Sequence, residues 1–245
     1  MTAEAAPVLE GMGLTKRYGS LTVLDGVDFA VAAREAVGIV GPNGAGKTTL
    51  LSVLSGSAPA TSGRTRLLGE DVTHARPESR CRGGIGRAFQ VPRPFGGMTV
   101  LENVLVGASA GGGLTGAAGY DRAVEVLEVC GLVELANRRA ESLGLLHRKR
   151  LELARSLATG PRVLLLDEIG AGLTDAEAGE LVATILRLRE RGVAIVWIEH
   201  IVHVLLRVVD RLVCMDAGRV IADGEPRAVL TDPAVIEAYL GRAVA

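Results

Sequence analysis

Aromatic residues are scarce: one Trp, three Tyr and three Phe in 245 residues, or 3%. A core built from this chain must therefore rely on Leu, Val, Ile and Ala. Cysteine is nearly absent as well. Cys81, Cys130 and Cys214 are odd in number and far apart, which excludes a disulfide framework and fits reduced thiols of the cytoplasm. Neither sign of charge dominates, with 27 Lys and Arg against 28 Asp and Glu for a formal net charge of −1. No global pull toward nucleic acid or anionic lipid follows. No apolar run reaches transmembrane length, since charges punctuate even Leu181–Val213. Met1–Glu10 is acidic and rich in small residues, without the basic-then-apolar order of a secretory signal. The expectation is a chain soluble by itself, whose membrane attachment, if any, comes through partners. What is present is an apolar content of 48% and a charged content of 22%, which are globular values. The length suffices for one substantial core and a satellite subdomain.

Against this background, residues 41–49 read Gly-Pro-Asn-Gly-Ala-Gly-Lys-Thr-Thr. They follow the short apolar segment Ala36–Val40, a buried-strand pattern, and run into a helix at Lys47-Thr48-Thr49-Leu50-Leu51. The match to G-x-x-x-x-G-K-[ST] is complete and stands in the required strand–loop–helix context. Its glycines allow backbone N–H groups to wrap phosphates, and the new helix aims its partial positive charge at the same anion. Gly41, Pro42, Asn43, Gly44, Ala45, Gly46, Lys47, Thr48 and Thr49 are the candidate triphosphate-binding residues. Lys47, one of three lysines beside Lys16 and Lys149, supplies full charge, and Thr48 a hydroxyl for Mg²⁺.

A second motif completes the first. Val163–Leu166 has no polar alternation, as expected for a parallel strand buried on both faces, and it ends in Asp167 and Glu168. Ligands of open α/β sheets bind at that end of the strands. Asp167 is the candidate Mg²⁺ carboxylate, acting through water. Glu168 is the candidate general base that orients and deprotonates an attacking water. The two motifs imply a chain that binds and hydrolyses a nucleoside triphosphate.

Along the chain, Val27–Val31, Arg64–Leu68 and the flank before Tyr18 read as strands, with a turn at Gly69 and Asp71. Residues 83–98 are Gly- and Pro-rich, predicting an exposed loop after a strand at Ile85–Phe89. Thr99–Leu105 begins a helix with capping-box spacing to Glu102. Gly111–Gly119 reads as a flexible break and Asp121–Val129 as a helix that Gly131 terminates. From Arg148 the β/α alternation resumes: helix Arg148–Ala158, strand Val163–Leu166, helix Asp175–Glu190, strand Ala194–Glu199 and helix His200–Val209. A hairpin turning at Asp216-Ala217-Gly218 joins Arg211–Met215 to Arg219–Ala222. Short helices around Arg227–Leu230 and Ala234–Leu240 close the chain.

In order and spacing these motifs resemble an ATP-binding cassette (ABC) ATPase over nearly the whole chain. The resemblance implies an α/β P-loop NTPase fold: a mixed sheet flanked by helices, an N-terminal antiparallel β subdomain and an inserted helical subdomain. Residues 1–90 and 148–245 would form the P-loop core with its β subdomain, and 91–147 the helical subdomain with the signature segment. It assigns Tyr18, in Leu-Thr-Lys-Arg-Tyr-Gly, to adenine stacking; the residues alone leave an ordinary core tyrosine equally open. It assigns Gln90, in Gly-Arg-Ala-Phe-Gln, to sensing the γ-phosphate and Mg²⁺, and His200, in Ile-Val-Trp-Ile-Glu-His, to γ-phosphate contact. Ala171-Gly172-Leu173-Thr174 occupies the loop that crosses to a partner subunit. The finer resemblance is to ATPase subunits of branched-chain amino acid importers, carried by 84–90 with 98–107, by 150–159 and by the tail 232–241; urea and amide importers are similar here. Implied are ATP and Mg²⁺, and a second ABC ATPase in a homo- or heterodimer. Two transmembrane permeases and, indirectly, a secreted substrate-binding protein are implied too, but no nucleic acid. The chain would sit peripherally on the cytoplasmic face of the membrane. Ribosome- or repair-associated relatives usually carry two cassettes or coiled-coil inserts, and neither pattern is present.

The chain also departs from the family. Where the signature Leu-Ser-Gly-Gly-Gln is expected, it has Leu143-Gly144-Leu145-Leu146-His147. Gly144 and His147 would still face the partner's nucleotide through backbone N–H groups and a helix N-terminus, but the serine hydroxyl is lost. That loss is worth about 3 kcal/mol by analogy with one oxyanion donor, and it motivates a second reading as a low-turnover regulatory subunit. Ile169 replaces a proline, and Thr174 replaces an aspartate, so that intersubunit contact is expected to be weaker or different. The basic run His147–Arg150 reads as solvated rather than as a nucleic-acid contact. His200 and His203, though at i, i+3 spacing, lack a third ligand for zinc. Val91-Pro92-Arg93-Pro94-Phe95 reads either as local packing or as a groove for a short permease helix.

Overall fold

A computed structural model describes residues 6–240 of the chain, the side chain of Leu240 excepted. Residues 1–5 of the N-terminal reading and Gly241 of the tail lie outside the described residues. In chain order the strands and helices are β1 (Pro7–Tyr18), β2 (Leu21–Ala32), β3 (Ala36–Val40), α1 (Lys47–Leu54), β4 (Ser62–Leu67), β5 (Glu70–Asp71), α2 (Pro77–Gly83), β6 (Ile85–Ala88) and α3 (Val100–Val106). A π-helical turn, Gly107–Gly111, extends α3. There follow α4 (Gly116–Cys130), α5 (Leu145–Ala158), β7 (Val163–Asp167), α6 (Asp175–Glu190), β8 (Ala194–Ile198), α7 (Val202–Leu205), β9 (Arg211–Asp216), β10 (Arg219–Gly224), α8 (Pro226–Leu230) and α9 (Pro233–Leu240).

Two sheets form. The larger has the order β10-β9-β3-β8-β7-β6, parallel throughout except for the β9–β10 hairpin. The smaller, β2-β1-β4-β5, is antiparallel. The mixed sheet with flanking helices and the N-terminal antiparallel sheet are as the sequence implied. The parallel strands are buried on both faces, and their alternate residues supply two cores. Leu164, Leu166, Ile195 and Trp197 face a core shared with α3–α6 and α8. Val163, Leu165, Val196 and Ile198 face a second one with α1 and the antiparallel sheet. The period of two puts a strand's neighbours on opposite faces, which explains a continuous apolar run without alternation.

The helical segment is pinned by specific polar contacts. Thr99 caps α3 with the full capping box to Glu102. Asn103, fully buried, takes the Phe95 amide on Oδ1 at 2.8 Å and donates through Nδ2 to the carbonyls of Phe95 (3.1 Å) and Thr99 (2.9 Å). Gly131 ends α4 in the left-handed conformation at φ 65°.

Several boundaries differ from the sequence reading. The strand 64–68 is Ser62–Leu67, with Leu68 turning at φ 52°. The strand 85–89 ends at Ala88 and the strand 194–199 at Ile198. The break at 111–119 is shorter, because the π-helical turn fills its start and α4 begins at Gly116. Helix 148–158 starts three residues earlier, at Leu145, since Gly144 serves as its N-cap. The helix expected over 200–209 is regular only at Val202–Leu205; short turns bury Val208 and Val209 without extending it. The cysteines are unpaired, and burial pushes the Cys130 thiol up to about 12. Among the described residues no helix is long and apolar enough to cross a membrane.

Candidate functional site

The C-terminal ends of β3, β6, β7 and β8 converge, and each delivers one part of the site. After β3 the chain enters the loop 41–46. Gly41 sits at φ 144°, and a Cβ there would lie 2.1 Å from the Met215 carbonyl oxygen. Gly46 sits at φ 101°, where a Cβ would lie 2.7 Å from the Val23 carbonyl oxygen. Only glycine fits either position. Gly46 offers α1 no side-chain cap, so the first-turn N–H groups are left to the loop's concavity. A cavity of about 170 Å³ opens there, lined by Asn43–Thr49, Val23 and Glu168.

Lys47 is buried and its Nζ donates to the carbonyls of Gly41 (2.7 Å) and Pro42 (3.0 Å). Burial lowers its pKa, while the charges of Glu168, Cys214 and Asp167 oppose the fall. Thr48 Oγ1 donates to Asp167 Oδ1 at 3.1 Å. The lysine loop and the acidic pair, 119 residues apart, thus share one place. The hydroxyl and carboxylate oxygens form the hard donor set that suits Mg²⁺, an ion that binds few protein ligands and keeps water and phosphate oxygens for the rest.

Glu168 is gripped on both oxygens. Gln90 Nε2 donates to Oε2 at 2.5 Å, and His200 Nε2 lies 2.8 Å from Oε1. Its backbone adopts φ 49°, a left-handed conformation uncommon for a non-glycine residue, and its N–H is held by the Ile198 carbonyl at 2.9 Å. The sequence-predicted residues Gln90, Asp167, Glu168, His200, Lys47 and Thr48 are therefore brought together. Tyr18 is 53% exposed at the end of β1 under the Lys16 ammonium, so it is no core residue. Gly144 and His147, at the start of α5, lie outside this cavity. Leu143 and Leu146 of the same segment are buried. Leu145 is exposed and would touch a Cβ placed on Gly172 of the crossing loop at 3.3 Å.

Three polar residues around the site carry no role in the sequence reading. Glu199, buried beside His200, accepts the N–H groups of Gly170 and His200, both at 3.0 Å. Burial raises its pKa against those hydrogen bonds. Lys149, far from solvated, is buried; its Nζ reaches the Gln90 carbonyl at 3.4 Å, and burial lowers its pKa. The basic run thus divides, with Arg148 exposed, Lys149 inward and Arg150 paired with Glu180. Arg87 pairs with Asp167. For Lys149 the available signal was its place three residues after Leu146 and four before Leu153, both buried on the same face of α5.

The phosphate loop, the acidic strand end and this pairing of sheets define an ATP-binding cassette. A family model described as ABC transporter matches residues 24–171, and the chain belongs to that family. A second model, described as branched-chain amino acid ATP-binding cassette transporter, matches residues 219–245. The chain is 38% identical to the high-affinity branched-chain amino acid transport ATP-binding protein BraF of Pseudomonas aeruginosa, over 97% of this chain and 99% of the relative. It is 36% identical to LivG of Escherichia coli, a protein of the same description, with the same coverage. A solved nucleotide-free ATP-binding cassette from an ABC transporter superposes with a TM-score of 0.87 at 32% identity, over 96% of this chain and 99% of the other.

Proposed function

We propose that the chain is the ATP-hydrolysing subunit of a membrane importer for branched-chain amino acids. The observation that carries the chemistry is the meeting of Thr48 and Asp167 at 3.1 Å beside a Glu168 held between Gln90 and His200. The names of relatives such as BraF and LivG, at full-length coverage, support the cargo over the urea and amide alternatives.

In this reading the N–H groups of 41–46 and the α1 N-terminus hold the phosphates, with Lys47 across the β- and γ-phosphates and Tyr18 against the adenine. Thr48, Asp167 and Gln90 would hold Mg²⁺, which would supply charge neutralisation on the phosphoryl oxygens. Glu168 takes the proton of the attacking water, and His200 contacts the γ-phosphate while fixing the Glu168 carboxylate. Gly144 and His147 would meet the nucleotide of a second ATPase subunit. Residues 91–147 would act as a helical subdomain moving against the core. Two permeases would dock a short helix in the groove of about 340 Å³ whose walls include Phe89, Val106, Ala110, Arg155 and Thr159; the 91–95 segment expected from the sequence does not line it and borders it only through the contact of Phe95 with Arg155. Closure on ATP and reopening after hydrolysis would reach the permeases through Gln90 and the loop after it. The chain would then lie on the cytoplasmic face of the membrane, supplied by a secreted binding protein.

Glu168→Gln tests this reading. The account expects turnover to fall by roughly 10²-fold or more, as for loss of general-base catalysis, with the ATP-bound closed dimer accumulating. Unchanged turnover refutes the assignment. The exposed Leu145, where the family has a small residue, favours one second reading, a low-turnover regulatory subunit. Steady-state ATPase rates with and without the permeases separate the two.

A further inference from the structure

Asp167 has two carboxylate oxygens, and each is engaged. Oδ1 meets Thr48, as above. Oδ2 meets Arg87 Nη2 at 3.1 Å, in an ion pair whose side chains are only 9% and 6% exposed. The guanidinium is held at both terminal nitrogens, while its buried Nε has no hydrogen-bond partner. Nη1 donates to Ser52 Oγ at 3.2 Å and Ser55 Oγ at 3.1 Å, both on the α1 side of the site. The plane lies over the Phe89 ring, 4.6 Å from its centroid. The Arg87 carbonyl accepts from the Ser156 hydroxyl of α5. Strand β6 sits beside β7 in register, with Arg87 opposite Leu165, so the arginine reaches along the strand to the carboxylate two residues on. Nothing in the reaction described above uses this cation.

A buried carboxylate without a partner is costly, and a cation beside it stabilises the charged form. The same cation works against a divalent ion arriving at Thr48 and Asp167, because like charges a few ångströms apart repel strongly where water is excluded. We propose that Arg87 is the resident counter-ion of Asp167: a positioning residue that holds the carboxylate against Thr48 and sets how much Mg²⁺ is needed to engage it. The inference rests on the ATP-binding reading of the site.

The test is a Mg²⁺ titration of nucleotide binding by the purified full-length chain, read with trinitrophenyl-ATP fluorescence and requiring no turnover. Arg87→Met removes the charge and keeps the bulk. Its Mg²⁺ midpoint should fall about threefold or more, since the metal becomes the sole counter-ion, while Arg87→Lys stays within about twofold of wild type. Should Arg87→Met not fold by circular dichroism, Arg87→Gln removes the charge, keeps a donor for Asp167, and carries the same expectation. A purely structural arginine would lower thermal stability in these variants without moving the midpoint. A midpoint unchanged or raised in the charge-removing variant overturns the inference alone. Failure of the wild type to bind the nucleotide at any Mg²⁺ concentration overturns the ATP-binding reading instead.

Discussion

Glu168 combines a left-handed backbone with a carboxylate bonded on both oxygens, so its position is set by neighbours rather than by its own preference. One of those neighbours, Gln90, is itself supported from behind by Lys149. Replacing Lys149 with Met removes a buried charge whose desolvation cost offsets much of its attraction to Glu199 and Glu168. The expected change in urea-unfolding stability is therefore small, within about 2 kcal/mol. Turnover should nonetheless fall about tenfold or more, because a catalytic group displaced by an ångström loses much of its effect. Unaltered turnover in paired melts and ATPase assays would contradict this support role. At this scale the phosphate loop and the acidic pair were legible as motifs with their own mechanism, whereas Gln90 and His200 were singled out only through the family resemblance. Lys149, Glu199 and Arg87 were given no role. Their roles depend on partners 59, 29 and 80 residues away; a local spacing such as that of Lys149 to Leu153 can mark a residue as inward-facing but does not name what it meets.

Elements were legible where a cap or a period marks them. Helix α6 has the bounds read from sequence, Asp175–Glu190, and Thr174 explains its start. Thr174 Oγ1 accepts the Glu177 N–H while Glu177 bonds the Thr174 N–H at 2.9 Å, a complete capping box. The departure from aspartate thus keeps a capping oxygen, whatever it does to a subunit contact. Thr174→Ala should cost about 1 kcal/mol of stability, measurable as a lowered denaturation midpoint at constant m-value. A change below a few tenths would contradict the cap's contribution. Helix α2 was missed because almost nothing in it follows an apolar period. Its anchor is Arg80, buried, whose Nη1 donates to the carbonyls of Val53 (2.7 Å) and Leu54 (2.8 Å) at the end of α1. A helix held by one arginine on another helix's open carbonyls is invisible to periodicity. Over 200–209 the error ran the other way: the apolar stripe is real, but turns suffice to bury it.

For the whole molecule, the two cores divide along the parallel sheet, and the loop 91–97 is tied to α3 through Asn103 and to α5 through Arg155, whose Nη1 donates to the Arg93 carbonyl at 2.9 Å. Phe95 is 44% exposed, its ring under the Arg155 guanidinium at 4.7 Å and its backbone pinned by Asn103. An aspartate there would pair with Arg155 and leave the fold intact, while adding charge to the face proposed for a permease. Phe95→Asp should retain ATP binding within about twofold, as for an exposed charge pair, and lose transport by drawing aside Arg155, a wall of the neighbouring groove; intact transport would remove the assignment of this face to a permease. The claim beneath all of these is that Lys47, Thr48 and Asp167 serve one magnesium-bound triphosphate. A crystal structure of the Glu168→Gln chain with ATP and Mg²⁺ tests it most directly. The account predicts the metal on Thr48 Oγ1 with Asp167 beside it, and the γ-phosphate between Lys47 and His200. Nucleotide bound elsewhere, or a metal remote from Asp167, would contradict it.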